Sequence, residues 1–189
     1  MVRENGKLRW SVPENVGEVI NTSGDEISPF IHPDNKSFYF ASDYHIGLGG
    51  FDLFLAEIKS DKTFTEPKNL GFPINTSGNE QGLNISSDGK TAYFASERIL
   101  DFGLDIFTFP LPEEIRPEQV TYVKARITDA ETGEIIKATV ELINLSSDST
   151  NHRLVMADEK GEILICLPLE RNYSFNVSPD CRKSAGYFI

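Results

Sequence analysis

An all-β chain is what the sequence predicts, and three observations predict it. A five-residue phrase recurs at a fixed spacing, aromatic runs of strand length follow polar turns in both copies, and neither copy carries a helical period. Ile20-Asn21-Thr22-Ser23-Gly24 returns as Ile74-Asn75-Thr76-Ser77-Gly78, a shift of 54 residues. The same shift carries Pro13, Asn15 and Gly17 onto Pro67, Asn69 and Gly71, Glu26 onto Glu80, Asp34 onto Asp88, and Lys36 onto Lys90. Beyond the next loop the shift falls to 53, so that Asp52 and Phe54 match Asp105 and Phe107; one deletion accounts for it.

Within each copy the strands follow from composition. Ser37-Phe38-Tyr39-Phe40-Ala41-Ser42 and Thr91-Ala92-Tyr93-Phe94-Ala95-Ser96 are aromatic-rich runs, each preceded by a turn: Pro33-Asp34-Asn35-Lys36 or Ser87-Asp88-Gly89-Lys90. Asp-Gly supplies the positive φ that a tight hairpin needs. The runs Phe51 to Ile58 and Leu104 to Phe109 form the next strands, each holding an aspartate, Asp52 or Asp105, inside apolar surroundings.

A period near 54 with several strands per unit suggests β-propeller blades, short sheets packed radially. Trp10…Pro13…Asn15…Gly17…Ile20-Asn21, Glu26…Pro29…Asp34…Phe38 to Asp43, and Gly49-Gly50-Phe51-Asp52-Leu53-Phe54 resemble the PD40 repeat, the WD40-like family of TolB propellers. The second copy carries the same motif, with Glu97 for Asp43 and a shorter glycine loop. Residues 1–112 then form two PD40 blades, at about 10–63 and 64–112, a partial β-propeller. Propellers close with roughly four to eight blades. Two blades therefore imply a longer parent protein or self-association through open blade edges.

A proline-punctuated connector, 113–119, leads to a different pattern over 120–189. Val123 to Ile127 and Ala138 to Ile143 alternate on either side of the turn Asp129 to Glu134, and Leu154 to Ala157, Ile163 to Leu167 and Tyr173 to Val177 follow, the first two of these split by Asp158 to Gly161. Short strands with turn signals describe a β-sandwich. The stretch resembles the carboxypeptidase regulatory-like (prealbumin-like) domain, with a last strand cut short at Gly186-Tyr187-Phe188-Ile189. PD40 blades followed by this module look like the middle of OmpA-family envelope proteins of Gram-negative bacteria. That resemblance implies a periplasmic or outer-membrane-associated scaffold with protein partners of the cell envelope. It carries no peptidoglycan-binding residue onto this chain.

Composition sets the exclusions. The net charge is −11, against the basic face that nucleic acid requires. No apolar run approaches the ~20 residues of a membrane helix, so direct insertion is not expected. His32, His45 and His152 are scattered without a zinc-ligand pair, and no G-x-S-x-G is present. Ser87-Asp88-Gly89-Lys90 fits S-x-x-K only formally, because it sits on a hairpin tip. Gly47-Leu48-Gly49-Gly50 precedes a strand rather than a helix, which rules out a phosphate cradle. No enzyme activity, cofactor or metal is expected.

The acids that recur, Glu26 and Glu80, Asp34 and Asp88, Asp52 and Asp105, suit an architectural role, because one active site rarely needs its residues twice. Carboxylates beside Gly and Ser accept hydrogen bonds from loop N–H groups. Calcium would need roughly six to eight converging oxygens. Specific binding falls to loops that differ between copies, Asp43-Tyr44-His45 against Glu97-Arg98, with ordinary loop drift as the plainer account. Cys166 and Cys181 would bridge in an exported protein, whereas the apolar strand around Cys166 suits a buried thiol. Two other classes compete with the scaffold: an accessory region for a catalytic domain elsewhere, and a carbohydrate-binding propeller.

Overall fold

Turns and aromatic runs become antiparallel sheets through the described residues. The computed structural model describes residues 2–4, 7–9, 12–99, 101–146 and 152–179. The chain divides into two units, Met1–Pro117 and Glu118–Ile189, a boundary inside the proline-rich connector. All regular structure among the described residues is strand, apart from one 3-10 turn at Glu113–Ile115.

The first unit opens with a hairpin, β1 (Val2–Glu4) and β2 (Lys7–Arg9). A four-stranded sheet follows, built from β3 (Glu26–Ile31), β4 (Ser37–Ser42), β5 (Asp52–Glu57) and β6 (Lys68–Asn69) in that order. A three-stranded sheet comes next, from β7 (Glu80–Ile85), β8 (Thr91–Ser96) and β9 (Asp105–Pro110). Their registers coincide residue for residue at the sequence shift. Glu26 faces Ser42 as Glu80 faces Ser96, and Phe30 faces Tyr39 as Asn84 faces Tyr93. Both ladders break at the same place, between Ile27 and Phe30 and between Gln81 and Asn84. The bulge residue is left-handed in each, Ser28 at φ 52 and Gly82 at φ 68. The hairpin tips match as well: Asn35 donates to His32 O at 2.9 Å and Gly89 to Ser86 O at 2.8 Å.

One apolar cluster joins the two sheets. Tyr39, Ala41 and Leu53 from the first meet Leu83, Ile85, Ala92 and Phe94 from the second, closed by Ile74, Leu111 and Ile115. Tyr39 donates its hydroxyl to Ile115 O at 3.0 Å, which fixes the start of the connector onto this core. Burial pushes the Tyr39 phenol well above its ordinary value, with the nearby Asp34 charge adding to it. The other face of the first sheet has its own cluster of Ile20, Phe38, Phe40, Phe54 and Ala56, with Phe64 packed against it.

The second unit contains β10 (Val120–Arg126), β11 (Ala138–Asn144), β12 (His152–Met156), β13 (Glu162–Pro168) and β14 (Tyr173–Pro179). They form two antiparallel sheets, β10-β13 and β12-β11-β14. Alternation decides which side chains turn inward: Leu142 from one sheet packs with Ile165 and Leu167 from the other. Asp158 Oδ1 accepts N–H groups from Lys160 and Glu162, both at 2.8 Å, and so pins the β12–β13 turn.

Candidate functional site

The duplicated carboxylates form the best-defined polar arrangement in the first unit. Glu80 is fully buried and accepts three hydrogen bonds: Thr76 N–H at 2.8 Å, the Thr76 hydroxyl at 2.7 Å and the Ser96 hydroxyl at 2.7 Å. Glu26 repeats the set with Thr22 N–H at 2.8 Å, the Thr22 hydroxyl at 2.6 Å and the Ser42 hydroxyl at 2.9 Å. Each glutamate thus latches the turn before its sheet to the end of the central strand. Partial burial raises the Glu26 carboxyl, but hydrogen bonds from Thr22 and Ser42, helped by His45, outweigh it and hold the group below the usual range.

Asp34 and Asp88 hold the hairpin tips. Asp34 Oδ1 accepts Lys36 and Ser37 N–H at 2.9 Å, and Oδ2 accepts the Ser37 hydroxyl at 2.8 Å. Asp88 Oδ1 accepts Lys90 N–H at 3.0 Å. His32 Nδ1 lies 3.5 Å from Asp34 Oδ2 and 3.3 Å from the Asp34 N–H. That nitrogen cannot donate to one and accept from the other at once. The adjacent carboxylate favours Nδ1–H, which leaves Nε2, partnerless among the described residues, as a bare lone pair in the core.

Burial pushes the Asp34 carboxyl up, but His32, the Ser37 and Lys36 N–H groups and the Ser37 hydroxyl together hold it at about 2. The folded value lies below the ordinary 3.8, so the stabilisation is present above about pH 4 and is lost as pH falls toward 2. It amounts to about 2 kcal/mol. Urea titrations between pH 5 and 2 should show this loss in the wild type and a shallower one in Asp34→Asn.

Asp52 and Asp105 part company. Asp52 is buried and its Oδ2 accepts N–H groups from Leu48 and Gly49, whereas Asp105 is exposed. The difference comes from the neighbouring sheet. Gly50 N–H donates to Gly78 O at 2.9 Å and Phe51 N–H to Asn79 Oδ1 at 2.9 Å, so the second copy roofs the first copy's glycine loop. Asp52 Oδ1 has no partner among the described residues. Among those residues no three His, Cys, Asp or Glu side chains converge as metal ligands do.

The loop residues that differ between copies are mostly engaged. Asp43 Oδ1 accepts Asp25 N–H at 2.8 Å, and Glu97 Oε2 accepts Asn79 Nδ2 at 2.5 Å. His45 Nε2 donates to Ile20 O at 2.9 Å, with its ring against Phe40 and Phe54. Arg98 donates Nη2 to Ile74 O at 2.7 Å and stands 4.9 Å from the ring centres of both Phe94 and Phe107. In space the Arg98 side chain answers to His45, although the sequence register pairs it with Tyr44. Asp43 and Tyr44 are the exposed members of the group, and Tyr44 is followed by Ile46, which is 95% exposed, and Leu48. Because a guanidinium over two rings is worth about 0.5–1 kcal/mol, His45→Arg should raise the urea midpoint by that stability, and Arg98→His should lower it.

Cys166 occupies a half-buried position between core-facing Ile165 and Leu167, and Cys181 lies outside the described residues, as does Trp10. No protein-family model, no curated protein and no solved structure matches the chain.

Proposed function

We propose that this chain is a non-catalytic scaffold and binding segment of a cell-envelope protein of the OmpA-family type. In this reading its first unit is two PD40 blades of a β-propeller and its second a prealbumin-like β-sandwich. The observation that carries the proposal is the employment of the repeated acids. Glu26, Glu80, Asp34 and Asp88 all spend oxygens on hydrogen bonds within their own repeat, which suits framework carboxylates. The apolar tip of Tyr44, Ile46 and Leu48 then serves as the contact surface, since exposed apolar residues gathered on one loop favour protein partners. The internal likeness of the two sheets supports the blade assignment, and the alternating strands of the second unit support the sandwich.

Photocross-linking tests this. The full chain carrying a photoreactive residue at Ile46 is exposed to a detergent extract of a Gram-negative envelope and, in parallel, to the cytosolic fraction. Adducts from the envelope extract that disappear in Tyr44→Ala are the expected result. Adducts from the cytosol alone, or none from the envelope, contradict it.

A further inference from the structure

The two sheets share a sequence pattern but not a strand count: the first has four strands and the second three. In the first, β6 runs along the outer edge of β5 and the residues after it clamp that edge. Asn75 Oδ1 accepts Leu53 N–H at 2.8 Å, and Asn75 Nδ2 donates to Leu53 O at 2.9 Å. Phe64, just upstream, seats among Ile20, Phe40, Phe54 and Ala56, its ring centre 5.1 Å from that of Phe38 and tilted to it by 56°.

The receiving half of this arrangement is present in the second sheet, and no strand among the described residues fills it. Ile106 pairs with Ala95 as Leu53 pairs with Ala41, so its N–H and C=O point off the open edge of β9. Ile74, Phe94, Phe107 and Phe109, the counterparts of the residues around Phe64, line an open groove of about 350 Å³. Tyr39 and Leu53 are 0% exposed, whereas their counterparts Tyr93 and Ile106 are 50% and 81% exposed.

The donating half stands unused at the other end of the unit. Pro13, Asn15, Gly17, Ile20 and Asn21 match Pro67, Asn69, Gly71, Ile74 and Asn75. The turn is already folded: Asn15 Oδ1 accepts Gly17 N–H at 2.8 Å and Asn21 N–H donates to Gly17 O at 2.9 Å. In the second copy Asn69 Oδ1 accepts Gly71 N–H at 2.7 Å and Asn75 N–H donates to Gly71 O at 2.9 Å. His45 anchors the Ile20 carbonyl to the first sheet as Arg98 anchors that of Ile74 to the second. Yet the Asn75 amide is fully buried on its clamp, while the Asn21 amide has no partner among the described residues, and Val12 and Val16 beside it are exposed. Ile31, counterpart of the 8% exposed Ile85 in the sheet-to-sheet core, is 52% exposed.

We propose that residues 12–21 of one copy clamp the open β9 edge of a second copy, which repeats between molecules the contact that joins the two sheets within one. The surface offered and the surface received are different, so the contact is heterologous and propagates into a ring or an open array. The occupant is a second copy because this chain itself supplies the folded turn, the anchored isoleucine and the amide in the register the edge requires. Gln81, Asn84 and Thr108 stand where the first sheet has Ile27, Phe30 and Leu55, so less apolar surface is covered than within the molecule. Association is therefore reversible and concentration-dependent.

Sedimentation velocity on the full chain over a concentration series tests this, with circular dichroism to verify the strands. Ile106→Pro removes the outward N–H without costing a ladder bond, and Asn21→Leu removes the clamp amide. Wild type should rise in molar mass with concentration, and each variant alone should stay monomeric. An equal mixture of the two variants retains one intact contact per pair and should give a species of twice the monomer mass and nothing larger. Wild type that stays monomeric, variants that assemble as wild type does, or a mixture without the doubled species would overturn the proposal. A partner sheet supplied by a different polypeptide leaves this chain monomeric and so counts among the overturning results.

Discussion

Replacing Glu80 by alanine is expected to destabilise the first unit by about 3 kcal/mol, because three donors, one buried and two part-buried, lose one fully buried acceptor together. Thr76 N–H, the Thr76 hydroxyl and the Ser96 hydroxyl all aim at this carboxylate, and full burial keeps water from replacing it. Glu80→Gln keeps one oxygen for the two hydroxyls but turns an amide NH₂ toward a backbone N–H, so an intermediate loss of about 1–2 kcal/mol follows. Glu26→Ala should cost less than Glu80→Ala, since the Glu26 latch is only part-buried and water can take over some of its bonds. Equilibrium urea unfolding of the three variants measures the order. A Glu80→Ala protein within about 0.5 kcal/mol of wild type would remove the latch as an organising element.

Gly49→Ala is the second large effect, and its cause is steric. A Cβ at Gly49 would stand 2.5 Å from both Gly78 O and Thr76 O. Both are main-chain atoms of the turn that Glu80 latches, so neither moves without disturbing the contact between the sheets. Overpacking of this kind costs about 1–3 kcal/mol. Gly103 offers the contrast: nothing lies within 4 Å of a Cβ there, and the cost of alanine is only that of its positive φ of 73, about 1 kcal/mol. Urea unfolding should place Gly49→Ala below Gly103→Ala. The sheet-to-sheet contact should also loosen, visible as faster hydrogen exchange at the Gly50 and Phe51 amides, which bond across to Gly78 and Asn79. Equal exchange in variant and wild type would mean that the glycine loop does not hold the sheets together.

The duplication was legible because it lives in local chemistry. Turn aspartates, central aromatic runs and the Thr-Ser-Gly turn do the same job in both copies, and side-chain alternation in the second unit marks its strands in the same way. Strands β3 and β7 were not legible. Glu26-Ile27-Ser28-Pro29-Phe30-Ile31 carries a proline and a left-handed serine, and its counterpart carries Gly82; both interrupt a strand pattern, although a bulged edge strand accepts them. The kinship of His45 and Arg98 was hidden by the one-residue deletion, which falls between Glu97 and Arg98 rather than in the glycine loop. Nor did sequence separate Asp52 from Asp105. Their neighbours are alike, and what buries one is a sheet lying over it, a non-local fact. The missing fourth strand of the second sheet was invisible for a similar reason, because β6 is two residues long and a clamp made by an asparagine side chain leaves no periodic trace.

Amide hydrogen exchange at Thr22 and Thr76 puts the whole account to the question, because each N–H donates to the glutamate of its own copy. Two equivalent sheets built on one latch require both amides to be protected, each opening only with the sheet it serves. One slow amide and one exchanging at the rate of an unstructured peptide would mean that the copies share letters but not a structure.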